Sequence, residues 1–389
     1  GPSMTSPVAE MSTMRFDPAD QQKKLLFTLI SLVLLGSITL FSATSYRSVL
    51  VSPDDNPLWM WQDQLKGYGL GALFFWVGYQ VRPRRWISKG LIIPALFALI
   101  LFLLATKFTP MGIGINDAYR WLQFGPVRFQ PSELAKVIVP AFMIYVTGTW
   151  KMNSRLSLKK LHFTGFGLLL VGGLLPMGLI FIQPDWGTTI VVGALATLTV
   201  PRWPRIYVYA TVVLIPAALS LLYLGRGRLP EIKERLSAPF DPESVPQVWT
   251  SLQAVGSGGL MGKGLGEGMS KMGHLPSSYN DFIFAVYAEE TGFFGVCLLL
   301  GLFSLLLHAG WRVANSLEDE DLSCLALVLT FAITGQALIN LGVNVALLPT
   351  KGIALPFFSH GSTGLAVFLG MCGILFSLTR CRGREVLIS

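Results

Sequence analysis

Residues Leu25 to Ala43 read LLFTLISLVLLGSITLFSA, directly behind Lys23 and Lys24. The run is uncharged and close to the roughly 20 residues that a helix needs to cross hydrocarbon. A signal peptide would have a shorter apolar core and a small-residue cleavage site. Further candidates follow at about 67–81, 87–106, 132–149, 162–182, 187–200, 206–224, 282–309, 322–346 and 353–379. The pattern predicts an all-α polytopic membrane protein with about ten transmembrane helices. Gly1, Pro2 and Ser3, ahead of Met4, read as a tag-cleavage scar. Residues 1–24 are then scar plus polar tail, 25–379 a single membrane domain including the loop 225–281, and 380–389 a second tail.

Composition points the same way. Of 389 residues, 52% are hydrophobic and 13% charged, against about 25% charged in soluble domains. This excludes disorder, an ordinary soluble enzyme and, despite the net charge of +8, a nucleic-acid-binding module. Lys and Arg crowd short connections at 82–85, 151–160 and 202–205 and the tail from Arg380. The positive-inside rule therefore puts both termini in the cytoplasm. The cysteines lack CxxC spacing and the histidines lack HExxH spacing, so neither a disulfide framework nor a metal site is expected.

The remaining charge falls mostly in two long exterior segments, 107–131 and 225–281. The second is too long for a structureless connection. It contains GSGGLMGKGLG, from Gly256 to Gly266. Such backbone can approach a phosphate and offer N–H donors, but it lacks Walker spacing, and a turned surface loop is the plainer reading. Asp281 precedes Phe282-Ile283-Phe284. It suits a helix N-cap or a carboxylate held at the outer membrane face as a general base, and the two roles are compatible. Glu289 and Glu290 lie deeper, where ionisable groups must face a bundle interior or cavity. One is expected to pair with a cation and the other to cap backbone or water. Gln336, Asn340 and Asn344 recur at i, i+4 and i+8, a polar stripe suited to interhelical hydrogen bonds. Arg120, Trp121, Arg128, Glu133 and Lys136 surround the start of the fourth candidate helix, Asp185 sits in the break Gln183-Pro184-Asp185-Trp186-Gly187, and Lys351 closes the ninth. A basic cluster beside apolar walls suits an amphiphile with an anionic head, such as a lipid-linked phosphate.

These residues resemble a known family. The run Arg120-Trp121-Leu122 through Gly125 to Arg128-Phe129-Gln130-Pro131-Ser132-Glu133-Leu134-Ala135-Lys136 is similar to a signature of the SEDS proteins (shape, elongation, division and sporulation). Further segments agree in order: Gln183-Pro184-Asp185, the glycine run leading to Asp281-Phe282-Ile283-Phe284, Glu289-Glu290, and Leu348-Pro349-Thr350-Lys351-Gly352. The resemblance covers residues 20–380. It leans towards the FtsW-like division branch over the RodA-like elongation branch. It implies a ten-helix glycosyltransferase of the bacterial inner membrane that polymerises lipid II into glycan strands on the extracytoplasmic side. Undecaprenyl pyrophosphate would leave, and a class B penicillin-binding protein would be the partner. No cofactor is implied. Asp281 falls on the family's essential aspartate and Trp121 on its functional tryptophan. Arg120, Lys136, Arg235 and Lys271 fall on recurrent basic positions.

Asp281 is then the candidate general base. Arg120, Trp121, Glu133, Lys136, Asp185, Arg235, Lys263, Lys271 and Lys351 are candidates for contact with the substrate. The alternatives are a lipid II flippase and a non-catalytic scaffold for the transpeptidase. Two departures stand out: relatives often have Pro-Glu-Ala-His-Thr-Asp where this chain has Pro276-Ser277-Ser278-Tyr279-Asn280-Asp281, and Ser-Tyr-Gly-Gly where it has Ser359-His360-Gly361-Ser362.

Overall fold

Asp17 accepts a hydrogen bond from Ala19 N at 2.9 Å and Pro18 takes the first helical position, so helix α1 (Pro18–Val51) starts well before the apolar run. Lys23 and Lys24 therefore lie on the helix and not in a preceding tail. Leu25, Leu29, Leu32, Gly36, Leu40 and Ala43 form its buried stripe, while Leu26, Phe27, Ile30, Leu34, Ile38 and Phe41 face outwards. A helix this apolar on both sides needs hydrocarbon around it. The chain is a multi-pass membrane protein.

The computed structural model describes residues 17–115, 118–125, 127–152, 167–168, 170–199, 237–350 and 352–381. Helix α2 (Trp59–Gln80) and α3 (Lys89–Phe108) follow α1. A three-stranded antiparallel sheet comes next, β1 (Gly112–Ile115), β2 (Ala118–Phe124) and β3 (Val127–Phe129). Then come α4 (Pro131–Met152), α5 (Leu175–Ile182), α6 (Trp186–Thr197), α7 (Pro246–Ser257), α8 (Ile283–Ser316), α9 (Glu320–Asn344) and α10 (Ser362–Leu378). Of these, α1, α3, α8 and α9 are long and apolar enough to cross a membrane. The candidate span 206–224 lies outside the described residues.

The sheet corrects the all-α expectation. Tyr119, Trp121 and Phe129 favour strands, and Gly125 supplies the positive φ for the turn from β2 to β3. Leu122 is buried opposite Gly112 and Phe129. Phe129 packs on Phe102, so the sheet covers the end of α3 and carries Arg120 and Trp121 across it.

The candidate span 282–309 falls on α8 and is interrupted. Helix α8 is broken at Gly292, where φ is +67°. Every residue from Ile283 to Glu290 is buried, whereas Phe293, Phe294 and Leu298 beyond the break are exposed. The glycine run closes over the break: Lys263 N and Gly264 N donate to the carbonyls of Glu289 and Glu290, and Phe293 N donates to Gly259 O. A Cβ on Gly292 would lie 2.2 Å from Gly262 N, with the backbone already in a region that L residues avoid. Gly292→Ala is therefore expected to destabilise the protein by about 1–3 kcal/mol, visible as a lowered melting temperature of the purified protein.

Candidate active site

Asp281 lies in the turn ahead of α8. The cap position of that helix is Phe282, without a side-chain bond, so Asp281 is not used as the N-cap. Three consecutive carbonyls in this turn are each held. His360 N donates to Tyr279 O at 2.9 Å, and Ser359 Oγ donates to Asn280 O at 2.7 Å. Asn340 Nδ2 and Asn344 Nδ2 donate to Asp281 O at 2.8 and 3.0 Å. The carboxylate itself is half-buried beside Gly352, whose built Cβ would come 3.0 Å from Oδ2. Burial pushes its pKa up to about 6, against the pull of the Arg120 guanidinium and with a further push from Asp185.

Arg120 reaches from β2 to the break between α5 and α6. Its Nε donates to Gln183 O at 3.1 Å, and a terminal N–H donates to Pro184 O. Two of its five N–H groups are thereby used. Asp185 caps α6 by accepting from Thr188 N. Its Oδ2 also accepts from Ser132 Oγ at 2.8 Å and Gln130 Nε2 at 3.1 Å. Asp185 thus ties α6 to the start of α4 and stands near Asp281. Trp121 lies next to Arg120 on β2, opposite Ile113 and partly exposed.

The other predicted cations are differently occupied. Lys136, 1% exposed, donates to both oxygens of Glu133 at 2.8 and 2.7 Å and lies over the Phe368 ring. Lys263 pairs with Glu289 at 2.6 Å, and Lys271 pairs with Glu290 at 2.6 Å. Lys271 also donates to Ser42 Oγ and Gly266 O, which uses all three of its N–H groups. Glu289 additionally accepts from Met269 N and Ser270 N. Both glutamates are paired with a lysine, where one such pair was expected. The glycine run offers its Lys263 and Gly264 amides to the Glu289 and Glu290 carbonyls, so it serves as a turned loop. Arg235 and Lys351 lie outside the described residues.

Sequence reasoning missed Ser42. Thr28, Thr39 and Thr44 on the same helix donate to carbonyls one turn back, the ordinary habit of a hydroxyl in an apolar helix. Ser42 instead donates to Glu290 Oε1 at 2.6 Å, and nothing in its spacing distinguishes it. The polar stripe on α9 was legible, but its target was not. The two departures from the family motifs meet each other: the Tyr279 and His360 rings pack edge to face at 6.1 Å, with Arg47 over Tyr279. Burial lowers the His360 pKa, partly opposed by Asp63, so the ring is held towards its neutral form.

The family model FtsW/RodA/SpoVE, described as a cell cycle protein, matches residues 22–383. The chain is 32% identical to "Probable peptidoglycan glycosyltransferase FtsW" of Halothiobacillus neapolitanus, over 96% of this chain and 90% of that one. It is 33% identical to stage V sporulation protein E of Bacillus subtilis, over 92% and 96%. Among solved structures, it is similar to a chain of a peptidoglycan synthase complex that coordinates polymerization and crosslinking, with TM-score 0.69, 25% identity and coverage of 96% and 100%. It also shares the fold of the rod shape determining protein RodA of Thermus thermophilus, with TM-score 0.63, 24% identity and the same coverage. The chain belongs to the FtsW/RodA/SpoVE family of SEDS membrane proteins, and its likeness is to the FtsW branch.

Proposed function

We propose that the protein is a peptidoglycan glycosyltransferase that joins the disaccharide units of lipid II into glycan strands. The observation that carries this reading is a half-buried carboxylate, Asp281, with a pKa near 6 beside a guanidinium, Arg120. A base works best with a pKa close to operating pH. Asp281 takes the proton of the acceptor hydroxyl as that oxygen attacks the donor's anomeric carbon. The lipid pyrophosphate leaves from the opposite face, so the configuration inverts without a covalent enzyme intermediate. Arg120 has N–H groups to spare for the departing pyrophosphate, the electrostatic share of such a step. Trp121 offers an apolar wall beside it, and Arg235 and Lys351 complete the cationic set.

Lys136, Lys263 and Lys271 with Glu133, Glu289 and Glu290 serve the reaction through the ion pairs that hold the bundle around the site, and Asp185 serves it through its hydrogen bonds between α6 and the start of α4. The membrane domain has ten helices with both termini in the cytoplasm of a bacterium, and Asp281 faces the other side of the inner membrane. A class B penicillin-binding protein supplies the crosslinking activity. The test is to incubate the purified protein with lipid II, with and without such a transpeptidase, and resolve the products by size. Glycan polymer is expected. Translocation of lipid II in vesicles without any polymer would replace this reading with a flippase.

A further inference from the structure

We infer that Asn340 and Asn344 are positioning residues that set where the Asp281 carboxylate stands. The inference rests on the assignment of Asp281 as the general base. Both side chains are buried on one face of α9, at 1% and 0% exposure, and both donate to the Asp281 carbonyl. Asn340 Nδ2 also donates to Ile353 O at 2.7 Å, which fixes the residue following Gly352, the backbone against which the carboxylate lies. Asn344 Oδ1 accepts from Ala285 N at 3.3 Å, in the first turn of α8, and Asn344 Nδ2 bonds back to Asn340 O and Oδ1. One coupled amide pair therefore holds the base's main chain, the start of the helix behind it and the loop in front of it.

An Asn side chain suits this work because it donates and accepts without charge. A carboxylate in its place would repel the Asp281 carbonyl, and an apolar residue would leave buried carbonyls unsatisfied. The hold on Tyr279 and Asn280 from the 359–360 segment fixes the turn from its other side. Among the described residues, only the α9 pair hydrogen-bonds to the Asp281 carbonyl. Neither asparagine has a free donor among the described residues: each Nδ2 is occupied by carbonyls of the turn, the loop or its partner. They act on the base and not on the substrate.

Asn340→Ala, Asn344→Ala and the double variant, made in the full chain and placed in lipid nanodiscs, test this. Three readouts are compared: kcat and KM for lipid II polymerisation, the pH dependence of the rate, and backbone amide exchange from Asn280 to Ala288. Each single variant leaves one donor on the Asp281 carbonyl, so a loss of about tenfold in kcat is expected, and in the double about 10²-fold. KM stays within about threefold, since substrate contacts are untouched. With Asp281 freed towards water, and Arg120 and Asp185 its remaining charged neighbours, the acid limb of the double variant moves below the wild-type value near pH 6. Amide protection across 280–288 falls in the double variant, while 321–334 on α9 stays protected and reports an intact fold. Unchanged kcat, or a raised KM with kcat preserved, overturns the inference, as does full protection across 280–288. If the wild type makes no polymer, the polymerase reading fails separately. The exchange data then decide alone: lost protection supports the hold on the turn and retained protection overturns it.

Discussion

Asp281→Asn is expected to lower glycan polymerisation by about 10²–10⁴-fold, the usual worth of a positioned base, in a protein that still folds. Asparagine has the same shape and keeps the backbone carbonyl on which Asn340 and Asn344 act. Thermal stability serves as the control, and its sign can be worked out. The folded-state pKa of Asp281 is raised from 3.8 to about 6, so the native state binds the proton more tightly than the unfolded chain. Stability therefore falls as pH rises from about 4 to about 6, and the ionised carboxylate is a net cost at neutral pH. A neutral side chain removes that cost, so the variant melts at the same temperature or higher at pH 7. The wild-type rate should climb as pH rises through about 6, when the base ionises. Polymerisation by Asp281→Asn near the wild-type rate would remove Asp281 from the mechanism.

The second large effect concerns stability. Lys271→Met leaves Glu290, 2% exposed, with Ser42 as its one remaining side-chain donor among the described residues. Breaking a buried pair from one side costs about 3–5 kcal/mol, because a charge stays behind without its counterion. Thermal unfolding of the detergent-solubilised protein should show a large loss, or no folded protein at all. Replacing both partners, as Lys271→Met with Glu290→Leu, should recover most of the loss, since an apolar pair of similar volume is often neutral in such a place. The double variant also separates two roles. Restored stability with near-normal polymerisation makes Lys271 structural. Restored stability with polymerisation lost returns it to the substrate.

Arg120 and Lys271 show why the candidate site was only partly legible. Both are basic residues in segments between apolar runs, and their spacing reads alike. The fold treats them differently: among the described residues Arg120 bonds to two carbonyls and leaves other N–H groups towards Asp281, while Lys271 is used up within a buried network. Which cation meets which carboxylate depends on contacts between residues far apart in the chain, such as Ser42 with Glu290. Residue type and order carry no record of that. The break in α8 belongs to the same class. Gly292 is one of 40 glycines, and only the close approach of the glycine run shows that it must adopt a positive φ.

The membrane class was determined by the sequence itself, because hydrocarbon selects uncharged runs of a set length and Leu25 to Ala43 is such a run. Asp281, the break at Asp185 and the stripe of Gln336, Asn340 and Asn344 were also visible, each a polar residue where an apolar one would be cheaper. Tertiary structure alone decided that Asn340 and Asn344 meet at the carbonyl of Asp281, that the glycine run covers a broken helix, and that the strands of a small sheet lie between Gly112 and Phe129. Those outcomes follow from satisfying every buried donor and acceptor at once, and that condition exists only when the whole chain is packed.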